Sequence, residues 1–152
     1  MPDPVTFADT SPRFALPLLH AGQAQKEIFV NEGVLLTDAL MHCMIIGEAI
    51  APPQNYAEND AWLVAPEATG AWAGRDGAVA LYRAGGWIFI PPRDGMRVFD
   101  ASSGSEMLFF GFWRKASLPG ELLGGTIVDG EARTAIKDLV SALQALGILP
   151  LA

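Results

Sequence analysis

The chain has 152 residues, enough for one domain, or one small domain with an appendage. Hydrophobic residues make up 51% and charged ones 18%, a composition that builds a core and excludes a disordered chain. The net charge of −7 argues against nucleic-acid binding, which needs a basic face, and against docking on an anionic membrane surface.

Residues 1–15 read as an extended arm. Pro2, Pro4 and Pro12 lack backbone donors and prevent a regular ladder. Phe7 and Phe14 are its anchors if it lies along a neighbouring surface; otherwise it is loose. Nothing at the start combines a basic region with an apolar core, so the expectation is a protein made in the cytoplasm without a signal peptide.

Residues 16–50 read as an oligomerisation segment, with a helix from about Ala21 to Ile46. It is apolar on more than one face. Ile28, Leu35 and Ala39 fall on one, and Val30, Val34 and Met41 on another. One small domain cannot cover both. The expected assembly is a cyclic homo-oligomer, trimer or pentamer, with Ile28, Val30, Val34, Leu35 and Met41 at the shared contacts. Gly33 is either tolerated at a cost of ~1 kcal/mol or permits close approach of another backbone. Gly47 is the expected stop, and Pro52 and Pro53 bar continuation. The most apolar window, Val34 to Ala51, contains Asp38, His42 and Glu48, so no membrane span is predicted.

Residues 51–113 change period. Short β-type runs alternate with turn signals: Ala61–Ala65, Gly70–Ala73, Val79–Tyr82, Trp87–Ile90, Met96–Asp100 and Glu106–Trp113. The Asp-Gly and Gly-Gly pairs between them suit tight hairpins. This predicts an antiparallel β-module of five or six short strands. Residues 114–152 read as a Gly-rich linker and a second helix, capped by Asp129 and closed by Gly147. Ala132, Ile136, Leu139, Val140, Leu143 and Leu146 form one stripe on it. The fold class is α+β.

Residue chemistry gives no reaction. Cys43, the single cysteine, excludes an internal disulfide and a multi-cysteine metal site, and reads as a small buried hydrophobe. His20 and His42 belong to no ligand spacing, so no metal and no cofactor are expected. Phosphate loops and nucleophile elbows are missing. Asp60, Glu67, Asp76, Asp94, Asp100 and Glu106 lie near turns, where solvated acids are common, and no catalytic residue is assigned. All four tryptophans, Trp62, Trp72, Trp87 and Trp113, fall in the β-module. Each is a core residue or a flat platform for a sugar ring. Trp72, between Gly70 and Gly74, is the most exposed candidate. Trp72, Arg75, Asp76 and Trp87 form the candidate glycan-binding set.

Leu16, Pro17, Leu19, Gly22, Gln23, Ala24, Gln25, Lys26, Asn31 and Glu32 make a Leu-Pro-x-Leu-x-x-Gly-Gln-Ala-Gln-Lys segment with a following Asn-Glu. Residues 51–99 add a Pro-Pro entry, an Asp-x-Trp strand, a Thr-Gly-Ala-Trp-Ala-Gly turn and a Pro-Arg-Asp-Gly turn. With these motifs, more than half the chain resembles an uncharacterised phage-associated family of prophages and alphaproteobacterial gene transfer agents. The resemblance implies a non-enzymatic fibre or head-spike component, built into a released particle beside other particle proteins and engaging host surface polysaccharide. Two readings from other classes compete: a polysaccharide-processing enzyme on the particle, and a small cytosolic binding domain.

Overall fold

The computed structural model describes residues 10–19, 26–120 and 129–151. The chain forms two compact units, Met1–Cys43 and Met44–Ala152. Together they are α+β, with two helices and eight short strands in two mixed sheets among the described residues.

In the first unit, α1 runs Lys26–Met41. Its buried residue is an acid. Asp38 accepts hydrogen bonds from Ser11 Oγ at 2.7 Å, Arg13 N at 2.9 Å and Phe14 N at 2.8 Å. Burial raises its pKa, but the Ser11, Arg13 and Phe14 donors outweigh burial and hold the carboxyl below its ordinary value. Asn31, seven residues earlier and so on the same side of the helix, accepts from Leu19 N at 2.8 Å and donates to Leu19 O at 3.0 Å. These two side chains fasten residues 10–19 to α1. The fold-back is closed by the antiparallel bridge between Thr10 and Pro17. The apolar residues point elsewhere: Ile28 is 55% exposed and Phe29 78%, and Val30, Leu36 and Met41 are also exposed. Val34 and Leu35 are half-buried.

The helix is shorter than its apolar run suggests. It ends at Met41, and Met44–Ile45 is a strand, β1. The expected first turn, residues 21–25, lies outside the described residues, as does residue 20. The physical reason for the early stop is burial. A short apolar run serves helix or strand equally, and Ile45 is wholly buried where β1 pairs in parallel with Phe99–Asp100. Gly47 is therefore no helix stop. It lies between β1 and β2 (Glu48–Ala49), which pairs in parallel with β3 (Ala61–Val64). Residues 44–49 thus leave one sheet and enter the other.

The second unit carries both sheets. One has the order β2-β3-β4-β5, with β4 Val79–Arg83 and β5 Gly86–Ile90. The other has the order β1-β6-β7-β8, with β6 Arg97–Asp100, β7 Ser105–Phe110 and β8 Phe112–Lys115. The module is mixed rather than antiparallel because β1 and β2 join in parallel. The expected single strand over 106–113 is two strands, turned at Gly111 with φ 71°. The expected strand at 70–73 is a 3-10 helix, Gly70–Trp72. Gly70 sits at φ 60° and Gly74 at φ 73°, values that break an extended ladder on both sides.

Period-two alternation buries Ala61, Leu63, Val79 and Leu81 on one sheet, and Ile45, Val98 and Met107 on the other. The Trp113 indole donates to Gly77 O at 2.8 Å, joining β8 to the entry of β4. α2 runs Gly130–Ala145, with Asp129 Oδ1 accepting from Ala132 N as its cap. Gly147, at φ 68°, donates to Gln144 O, and Ile148 donates to Leu143 O. This is the Schellman ending.

Candidate functional site

The face of the β2-β3-β4-β5 sheet opposite Leu63 and Val79 is aromatic. Register places Trp62 beside Ala80, Ala80 beside Phe89, and Tyr82 beside Trp87. The last pairing follows from the turn. Ala84-Gly85 is a two-residue connection, so residues equally distant from it face each other. Ala84 takes φ 50° there, which glycine or asparagine would adopt more easily.

Trp72 lies over this face, wholly buried with Val64 and Ala80, and Trp62, Trp87 and Phe89 pack against that cluster. It is a buried member of the aromatic cluster and not an exposed platform. The glycines beside it, read from sequence as opening space, turn the chain so that the indole is driven inward. Trp87 meets Trp72 edge-on, with centroids 5.0 Å apart and planes at 88°. Trp87 and Tyr82 are 5.1 Å apart, Trp87 and Tyr56 5.1 Å, and Tyr56 and Tyr82 4.4 Å. Tyr56, 41% exposed, is the outermost ring. These distances are those of tilted aromatic contacts.

Tyr56 is delivered by a loop that β4 holds in place. Asn59 N donates to Tyr82 O at 2.8 Å and Tyr82 N to Asp60 O at 2.9 Å. Arg83 Nη1 donates to Asn59 Oδ1 at 3.1 Å, and Ala84 N to Glu58 Oε1 at 2.8 Å. The Asp60 carboxylate accepts from Ala57 N at 2.8 Å.

The four candidates read from sequence therefore separate. Trp87 belongs to the aromatic array, half-buried with Tyr82 beneath the exposed Tyr56. Arg75 lies close by, its guanidinium 5.1 Å over the Phe89 ring. Trp72 is buried and buttresses Trp87 edge-on. Asp76 is engaged in its own loop, accepting from Glu67 N and Ala68 N at 3.1 Å each. Sequence reasoning missed Tyr82 and Tyr56. The hairpin turn was a signal for Tyr82, because it fixes the Tyr82–Trp87 pair. No local signal marks Tyr56, whose position depends on bonds from residues 57–60 to β4.

The turn acids are mostly occupied as hydrogen-bond acceptors. Besides Asp60 and Asp76, Asp94 accepts from Gly111 N at 2.8 Å, and Glu106 pairs with Arg97 at 2.8 Å. Asp100, 4% exposed, accepts from Ser102 Oγ at 2.6 Å, Ser103 Oγ at 2.8 Å and Lys115 Nζ at 2.5 Å. Burial raises its pKa, but Lys115 and the two serines outweigh it and bring the carboxyl to about 2.

Among the described residues, no helix is long and apolar enough to cross a membrane. No curated protein matches the chain. Residues 30–114 match the profile of a family described as a protein of unknown function, DUF2793. That match covers both parallel strand entries, the aromatic face and all four tryptophans, more than half of the sequence, and the chain belongs to the DUF2793 family.

Proposed function

We propose that this chain is a structural component of a phage-like particle, a head spike or tail fibre of a gene transfer agent or prophage, that helps the particle attach to host surface polysaccharide. It is made in the cytoplasm, assembles as a homo-oligomer with other particle proteins, and leaves the cell in the particle. The motif resemblance from Leu16 to Glu32 and over residues 51–99 supports the particle setting. The exposed Ile28, Phe29, Val30 and Met41 on α1 support assembly, since a helix that buries Asp38 and exposes these residues has apolar surface left for other chains.

The observation that carries the attachment reading is the Tyr56–Tyr82–Trp87 array. Adjacent aromatic rings offer faces to the apolar C–H surface of a sugar, while phenol hydroxyls and the nearby Arg75 can bond its hydroxyl groups. Such a site is weak singly. Repetition around a particle raises avidity by ~10²–10⁴ when several sites engage together.

The test replaces Tyr56 and Trp87 separately by Ala and measures adsorption of particles to encapsulated and acapsular cells. Each folded variant should adsorb to encapsulated cells at least about tenfold less than the wild type, with no change on acapsular cells. Unchanged adsorption to encapsulated cells would remove the aromatic face from attachment.

A further inference from the structure

We infer that the β6-β7-β8 strands carry a second glycan subsite, one that takes a sugar bearing a carboxylate. The inference rests on the attachment reading above and names the chemical class of its polysaccharide as acidic. The subsite lies on the face opposite the buried Val98 and Met107, and its centre is a row across three strands. Register sets Arg97 on β6 opposite Leu108 on β7, and Leu108 opposite Arg114 on β8. The two arginines therefore leave the backbone about twice the ~4.8 Å strand spacing apart, with Leu108 between them.

A pocket of about 290 Å³ opens here, lined by Arg97, Leu108, Arg114 and Lys115 with Glu106 and Ile148. That volume is at the low end for ligand pockets and suits one small group. Among the described residues, the lining carries three cations and one carboxylate, in a chain of net charge −7. A local excess of that sign draws an anion. Lys115 is already held by the Asp100 carboxylate at 2.5 Å, so the arginines carry the excess. Ile148 is brought to the pocket by backbone bonds. It donates to Leu143 O at 2.9 Å, and Glu106 N donates to Gly147 O at 2.7 Å, which ties the end of α2 to β7.

Both arginines keep donors for a ligand, since a guanidinium has five N–H groups. Arg97 Nη1 donates to Glu106 Oε2 at 2.8 Å, in a pair whose side chains are 61% and 46% exposed. Such a pair rearranges at little cost. Arg114 Nη2 donates to Phe110 O at 3.1 Å, and its guanidinium lies 5.1 Å from the Phe110 centroid and 4.8 Å from that of Phe112. This stacking places the group before a ligand arrives. A carboxylate matches the planar fork of each arginine. The sugar ring that bears it has apolar C–H surface for Leu108, Ile148 and the exposed Phe110 and Phe112 rings.

NMR titration of the full chain tests this, with a galacturonic acid tetrasaccharide and its neutral galactose counterpart as probes. The variants are Arg97→Ala, Arg114→Ala and Glu106→Gln. Lys137→Ala, on the exposed surface of α2, removes the same charge elsewhere. Circular dichroism reports folding. The wild type should bind the acidic probe at least about tenfold more tightly than the neutral one, and high salt should weaken only the acidic probe. Each arginine variant should lose at least about tenfold toward the acidic probe alone, and Lys137→Ala should lose nothing. Glu106→Gln should bind the acidic probe more tightly, because it releases Arg97 and removes a like charge; a merely structural Arg97 would give no such gain. Equal binding of the two probes, an acidic-probe affinity untouched in both folded arginine variants, or no gain in Glu106→Gln would overturn the subsite. Trp87→Ala in the same titration then shows whether the aromatic face holds the sugar, so the attachment reading is judged separately. Inorganic phosphate that displaces the acidic probe at equal concentration would overturn the sugar class and leave a general anion site. A chain that binds neither probe would overturn this inference, and adsorption of whole particles would still decide the attachment reading.

Discussion

Trp72→Ala should lower the unfolding free energy by about 3–5 kcal/mol, the range for truncating a large buried aromatic side chain. A domain of this size is stable by only about 5–15 kcal/mol, so the variant should be near its threshold. The indole is wholly buried against Val64 and Ala80 and stands edge-on to Trp87. Its removal leaves a cavity beside Trp87, which loses its edge-on support. Trp72→Phe separates two effects. The Trp72 indole N–H is buried with no partner among the described residues, which itself costs free energy. Phenylalanine deletes that group and keeps an aromatic ring, so its loss should be less than half that of alanine. Urea unfolding followed by circular dichroism checks both variants. A Trp72→Ala midpoint close to the wild type would mean that the 3-10 helix is not seated in the core.

Acid should destabilise the second unit through Asp100. Its carboxyl is lowered from 3.8 to about 2 in the folded chain. The folded state therefore holds the charged form more tightly than the unfolded chain does. The stabilisation is complete above about pH 4 and is lost as the pH falls toward 2, on the order of 2 kcal/mol in all. Asp38, also lowered, acts with the same sign on the first unit. Asp100→Asn should cost about 2–3 kcal/mol at neutral pH, because Lys115 keeps its charge and loses its partner. The same variant should show a flatter acid limb below pH 4, with the contribution of Asp38 remaining. An acid limb as steep as that of the wild type would show that Asp100 is not linked to folding.

Elements with a local chemical cause were legible in the sequence. Asp129 and Gly147 bound α2 because a carboxylate cap and a left-handed glycine are properties of single residues. The β4 and β5 strands lay within one residue of their expected bounds because a two-residue turn fixes both sides of a hairpin. Some failures were local, at the left-handed glycines Gly70, Gly74 and Gly111, and others turned on tertiary contacts. Met44–Ile45 has the apolarity of a helix end, and only Phe99–Asp100, more than fifty residues away, makes it a strand. Trp72 between glycines looked exposed, and the sheet beneath it buries it. The site divides in the same way. Trp87 and Arg75 were legible as residue types in turns or strands, whereas Tyr56 reaches Trp87 only through bonds between residues 57–60 and the β4 hairpin.

The account stands most directly on whether the chain is part of a particle. Phage-like particles banded on a density gradient and quantified by mass spectrometry against an isotope-labelled copy of this chain would measure that. The expected result is a fixed number of copies per particle, retained through a second gradient and high salt. A chain that stays with the soluble fraction of lysed cells while capsid protein bands without it would contradict the account.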